Sequence, residues 1–150
     1  MVNKQAMVQL QEVLSKLARD RGSLRLAMLM PTELPNRWNL LVSAPWMDTL
    51  GPRSAIKELT SRLLNHVDRN FLSAIDRVSV VPGTDPFVER ITDIVQSFLG
   101  VNPTAHEGGY QLRDATVEGR DIPEAFVFAA DTKANGKPAS ASRFPKAAQR

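Results

Sequence analysis

Between residues 38 and 81 a helical pattern lies between two strand patterns, and this order constrains the fold more than any other feature of the chain. Trp38, Leu40 and Val42 recur at every second position, as in a strand, and residues 77–81 alternate again. Between them a helix starts near Gly51-Pro52, because proline is favoured in a first helical turn. Its apolar stripe is Ile56, Leu59, Leu63 and Val67. Strands joined by a helical crossover of this length are parallel when they share a sheet, so the sequence predicts a parallel pair.

The rest of the chain predicts two more helices and three more strands. The helices cover residues 4–20 and run from Pro86 to a stop at Gly100; the strands cover residues 24–30, 110–117 and 125–130. Short turn-forming segments after Met30 and after Val117 predict two hairpins, and hairpins pair their strands antiparallel. The predicted fold is therefore α+β: a mixed, mostly antiparallel sheet of about five strands packed with three helices, in the order α-β-β-α-β-α-β-β.

The chain predicts one domain followed by a basic tail. Its 150 residues, 43% of them hydrophobic, suit one core, which we assign to residues 1–130. Residues 131–150 hold five basic residues and one acid, whereas residues 1–130 hold 14 basic and 15 acidic residues. Phe144 is the single large apolar residue of the tail, so we expect residues 131–150 to be disordered. A near-neutral body disfavours nucleic-acid binding, except weak binding through this tail.

Several kinds of chemistry lack their characteristic residues. There is no cysteine, which removes thiolate nucleophiles, disulfides and thiolate metal sites and is compatible with a reducing cytosol. The nucleophile elbow, the dinucleotide fingerprint and the phosphate loop are missing from the sequence. His66 and His106 are the two histidines, and neither has the spacing of a metal ligand. We therefore expect no cofactor and no metal, and the sequence favours a non-enzymatic protein without excluding an enzyme.

One ligand crevice is predicted at the sheet edge where the two parallel strands end. The loops that follow these strands, residues 45–51 and 82–86, become neighbours there, and each leads into a helix whose free amides suit an anion. The candidate ligand-binding residues are Trp46, Asp48, Gly83, Thr84, Asp85 and His106. Trp46 would stack on a planar ligand, and His106 would reach in from a loop as a general base. The alternative is that Thr84 and Asp85 are helix caps, Asp48 is a loop acid and Trp46 is a rim or core aromatic.

Three hypotheses for the function follow. The first is a small cytoplasmic interaction module, without cofactor and without membrane association, that acts through a protein partner or as a homodimer, for instance through its N-terminal amphipathic helix. The second is a small-ligand-binding protein or enzyme with its site at the crevice. The third is weak nucleic-acid binding through the basic tail, which would be steeply salt-dependent.

Overall fold

A computed structural model describes residues 4–99 and 110–130 of the chain. Its five helices and five strands follow the predicted order, with two short helices, Pro45–Leu50 and Arg69–Leu72, added to it. The helices are α1 (Lys4–Arg21), α2 (Pro45–Leu50), α3 (Pro52–His66), α4 (Arg69–Leu72) and α5 (Pro86–Leu99). The strands are β1 (Leu26–Pro31), β2 (Trp38–Ser43), β3 (Ile75–Val80), β4 (Tyr110–Val117) and β5 (Arg120–Ala130). The predicted disorder of residues 131–150 and the predicted stop at Gly100 lie outside the described residues.

All five strands form one sheet in the order β3-β2-β1-β5-β4. β2 and β3 are parallel, as the helical crossover predicts, and every other pair is antiparallel. β1 is central and buried on both faces, because its residues are apolar at odd and even positions alike. The α+β prediction and the mixed sheet are confirmed.

Apolar side chains of the sheet pack against helices on both faces. On one face, β1, β2 and β5 contact α1 and α3, whose stripes include the buried Leu10, Leu14, Leu59 and Leu63. On the other face, α5 buries Phe87, Val88, Ile91 and Val95 against β1, β4 and β5. Each such side chain contributes about 1.5–3 kcal/mol when it leaves water, so these stripes determine which face of each helix turns inward. The result is three layers, with the sheet between α1 and α3 on one side and α5 on the other.

Three local predictions need correction. The segment 45–51 was predicted as a loop, but Pro45–Leu50 forms α2, and Gly51 at φ 99° separates it from α3. α4 is a second short helix, capped by the Asp68 carboxylate, so the helices number five in the described residues where the sequence predicts three. The last strand begins at Arg120, because Glu118 and Gly119 both have positive φ and form a tight hairpin turn.

Candidate functional site

The predicted crevice exists as a place in the fold, but an arginine of this chain fills it. β2 ends at Ser43, β3 ends at Val80, and Arg25 immediately precedes β1 at the same edge. Its guanidinium donates from Nη1 to Oγ of Ser43 at 2.8 Å and from Nη2 to Oδ2 of Asp48 at 3.1 Å. Ser43 is fully buried, and the Arg25 side chain is 18% exposed. Arg25 therefore joins β1, β2 and α2 at the position predicted for a ligand.

Gly83 completes the enclosure of this arginine. A Cβ at residue 83 would lie 2.4 Å from Cζ of Arg25, which is closer than two carbon atoms approach when they are not bonded to each other. The absence of a side chain at Gly83 thus lets the turn after β3 pass directly over the guanidinium. Asp48 and Gly83 are brought together as predicted, around Arg25.

The remaining crevice candidates lie on different sides of the sheet. The Asp85 carboxylate accepts from the amide of Phe87 at 2.9 Å and so caps α5, as the alternative interpretation predicts, and Thr84 beside it is exposed. Trp46 packs with the α1 and α3 layer, where the guanidinium of Arg21 lies 5.6 Å from its ring centroid. Its indole Nε1 is buried and makes no hydrogen bond to a described residue. His106 lies outside the described residues, so its predicted role remains a prediction, as does ligand binding by the whole set.

A second site, which the sequence patterns did not predict, is a groove between α1 and α3. It has a volume of about 970 Å³ and runs along the outer side of α1 for about three turns. Its lining is Val8, Gln11, Glu12, Val13, Ser15, Lys16, Arg19, Arg62, Asn65 and His66. Cations outnumber acids in this lining, with Lys16, Arg19 and Arg62 against Glu12. The signal in the sequence was the spacing of the polar residues of α1 by three and four, which places them on one outer face.

Charged hydrogen bonds at one end of the groove hold α1 and α3 together. The carboxylate of Glu58 on α3 accepts two hydrogen bonds from Arg21, one from Nε at 2.9 Å and one from Nη2. It also accepts a hydrogen bond from Nη2 of Arg62 at 3.3 Å. Arg62 also donates to Oδ2 of Asp20 at 3.0 Å. The hydrogen bonds from Arg21 lower the pKa of the Glu58 carboxyl below its ordinary value, and the bond to Glu58 raises the pKa of Arg21. The width of this end of the groove is thus set by a four-residue ionic network.

His66 and Glu12 connect the two helices nearer the other end. Nε2 of His66 lies 3.1 Å from Oε1 of Glu12, and both side chains are more than half exposed. The spacing of residues in the sequence could not reveal this contact, because Glu12 and His66 lie on different helices. The side chain of Gln9 on α1 also accepts from the amide of Asp68, just beyond α3.

The charges of the described residues are separated between the two outer layers. α1 and α3 together carry seven basic and three acidic residues, a net charge of +4. α5, the outer layer on the opposite face of the sheet, carries one basic and two acidic residues, a net charge of −1. The groove therefore opens in the cationic layer of a molecule whose first 130 residues are close to neutral in total.

Comparison with protein-family models, with curated proteins and with solved structures finds no match to this chain. Within residues 4–99 and 110–130, no cluster of three His, Asp or Glu side chains has the arrangement of a metal site. No helix in that part of the chain has the length and apolar character that a bilayer crossing needs.

Proposed function

We propose that this chain is an interaction module that binds an acidic segment of a partner protein in the groove between α1 and α3. The observation that carries the proposal is the groove itself, which is open and lined by three cationic side chains in the layer with a net charge of +4. Lys16 is an exposed cation of this lining, whereas Arg62 already donates to Asp20 and Glu58. An acidic segment would be attracted to the α1 and α3 layer, with its net charge of +4, and not to α5, with its net charge of −1. That difference orients the partner toward one face.

The shape and chemistry of the groove favour a polypeptide segment over a small molecule. Its length along α1, about three turns, matches a short helix or an extended stretch of chain. Polar side chains such as Ser15 and Asn65 lie among the cations and can bind the backbone of a segment. Val8 and Val13 contribute apolar surface to the same lining. This mixture resembles a polar interaction surface more than the mostly apolar pockets that hold small molecules.

The proposed module acts in the cytoplasm, without a cofactor and without catalysing a reaction. Support for this location is the absence of cysteine, which suits a reducing compartment. The ligand crevice is the less favoured alternative, since Arg25, Ser43 and Asp48 already satisfy one another there.

The test is binding of a fluorescein-labelled oligoglutamate peptide to the full chain, measured by anisotropy at low and at moderate salt. We expect saturable binding that weakens as salt rises, because exposed charges are screened. Replacing Lys16 by glutamate should weaken it about fivefold or more, since one exposed ion pair contributes up to about 1 kcal/mol and the new acid repels the peptide.

The matched control is Lys57→Glu, an equal change of charge on the exposed side of α3 and outside the groove lining. It should leave binding nearly unchanged. Equal losses in the two variants would mean that the peptide senses only net charge, and the proposal would be wrong. It would also be wrong if a single-stranded oligonucleotide, and not the peptide, bound in a manner sensitive to Lys16.

A further inference from the structure

β3 is an outer strand of the sheet and has an open edge. In the described part of the chain nothing pairs with it on the side away from β2. The amide of Val81 donates to the carbonyl of Val42 at 3.0 Å, toward β2. Because alternate residues of a strand turn their backbone groups to opposite sides, Ser79 also faces β2, and Val78 and Val80 turn their N–H and C=O groups outward. These outward groups can accept another strand.

A flank of α3 lies beside this edge. Glu58 and Arg62 face α1, and Leu59 and Leu63 face the sheet. Ile56, Thr60 and Leu64 follow one another by four residues on the remaining flank, which is directed away from α1 and toward the β3 side. Leu64 is 55% exposed and Ile56 is partly exposed. The open edge of β3 and this flank of α3 together form one surface, to which Ile56 and Leu64 contribute apolar side chains.

This surface determines which alternation of apolar and polar residues a strand must have in order to bind there. Residues on the α3 side of the added strand should be apolar, and residues on the other side should be polar. β3 itself has this pattern: Val78 and Val80 pack on the α3 side, whereas Ser79 points to the opposite face and donates to Asn39 at 3.0 Å. The β3 strand of a second copy of the chain therefore has the required pattern.

We propose that two copies of this chain associate by antiparallel pairing of their β3 strands. A twofold axis perpendicular to the sheet, passing through Ser79, places Val78 of each copy opposite Val80 of the other, and each pair exchanges both of its N–H···O bonds. The same axis keeps the α3 helices on one face and brings their Ile56 and Leu64 flanks together. In this pairing Arg77 lies opposite Val81 of the other copy and away from the other Arg77. The product is a continuous sheet of ten strands.

The other outer strand, β4, is less suited to such pairing. Asp114 in its middle has φ 52°, in the left-handed region, and interrupts the extended backbone. Arg113 precedes this position, and charged residues on outer strands commonly protect sheet edges from pairing. The irregularity in the pairing of β3 with β2 lies at its start, beside Ile75 and Arg77, and leaves Val78–Val80 regular. Only one of the two edges is thus prepared for a partner.

Sedimentation equilibrium of the full chain tests this proposal, from about 1 µM to about 1 mM, a range that spans moderate and weak dissociation constants. We expect a monomer–dimer equilibrium. Val80→Pro removes an outward N–H that β2 does not use, and proline is tolerated on an edge strand in that situation. Leu64→Glu places a charge on the α3 flank at an exposed position. Each change should weaken dimerisation at least tenfold, while circular dichroism remains that of the folded chain.

Leu34→Glu is the matched control, because Leu34 is 53% exposed and lies in the turn between β1 and β2. It should dimerise like the unmodified chain. A chain that stays monomeric throughout overturns the proposal, and so does a folded Val80→Pro variant that dimerises normally. If Val80→Pro does not fold, the comparison of Leu64→Glu with Leu34→Glu decides, and equal dimerisation of these two variants overturns the proposal.

Discussion

Replacing Gly83 by alanine should destabilise the chain by displacing Arg25. The added Cβ would stand 2.4 Å from Cζ of Arg25, so the guanidinium must shift, and we expect it to give up its hydrogen bonds to Ser43 and Asp48. A charged hydrogen bond to a buried group is worth about 1.5–3 kcal/mol, and the half-exposed ion pair adds about 0.2–1 kcal/mol. The lower backbone entropy of alanine in the unfolded chain offsets about 0.4–1 kcal/mol. We expect a net loss of about 2 kcal/mol, or about 4–8 °C in Tm for a chain of this size.

A double-mutant cycle with Arg25→Ala isolates the cause. Arg25→Ala alone should lower the free energy of unfolding by a similar amount, because it leaves the hydroxyl of Ser43 buried without its donor. Gly83→Ala should then cost nothing further, since the group it displaces is gone. The coupling is measured by chemical unfolding of the unmodified chain, the two single variants and the double variant. One common dependence of the unfolding free energy on denaturant concentration is used for all four. An unchanged stability of Gly83→Ala, or an equal loss with and without Arg25, would refute the role assigned to the glycine.

Three further predictions concern single contacts. Asp85→Ala should lower the free energy of unfolding by about 1 kcal/mol, because it removes the cap of α5. Asp85→Asn should retain most of the stability that the cap contributes, since asparagine also caps helices well. Glu58→Gln should cost about 1 kcal/mol at pH 7 in thermal melts. Because the pKa of Glu58 is lowered in the folded state, its contribution is present above its ordinary value of 4.5 and is lost as pH falls through the folded value; the difference between the two proteins should therefore vanish in acid, and a constant difference would contradict the network. Glu118→Asn should raise Tm slightly, since asparagine tolerates the φ of 50° in this turn and the ion pair with Arg90 that it removes is exposed.

The element order and the parallel strand pair were predictable because they depend on local periodicity. Trp38, Leu40 and Val42 mark a strand without reference to the rest of the chain, and a crossover between strands has one common handedness. The occupancy of the crevice was not predictable in this way. Arg25 reaches Ser43 and Asp48 across two elements, and no pattern within a window of sequence places these groups together. The six residues of α2 were missed because so short a helix has no periodic stripe.

The groove was missed for a different reason. Net charge was summed along residues 1–130, and this sum combines a cationic layer with an acidic one. Their separation becomes visible only when each helix is assigned to a face of the sheet. Lys16 and Arg62 are unremarkable in the sequence, and they line one groove because α1 and α3 lie side by side.

The position of β5 has a consequence for how the chain reaches this fold. Among the described strands β5 comes last along the chain, yet it lies inside the sheet, with Leu26 opposite Ala130. During synthesis from the N-terminus, β1 must therefore wait with one edge unpaired until almost all of residues 4–130 has been made. Contacts between such distant residues are slow to form, because a long loop must close before they are gained. Truncation anywhere before Ala125 would leave one edge of the central strand β1 unpaired, so the sheet can be completed only after β5 has been made.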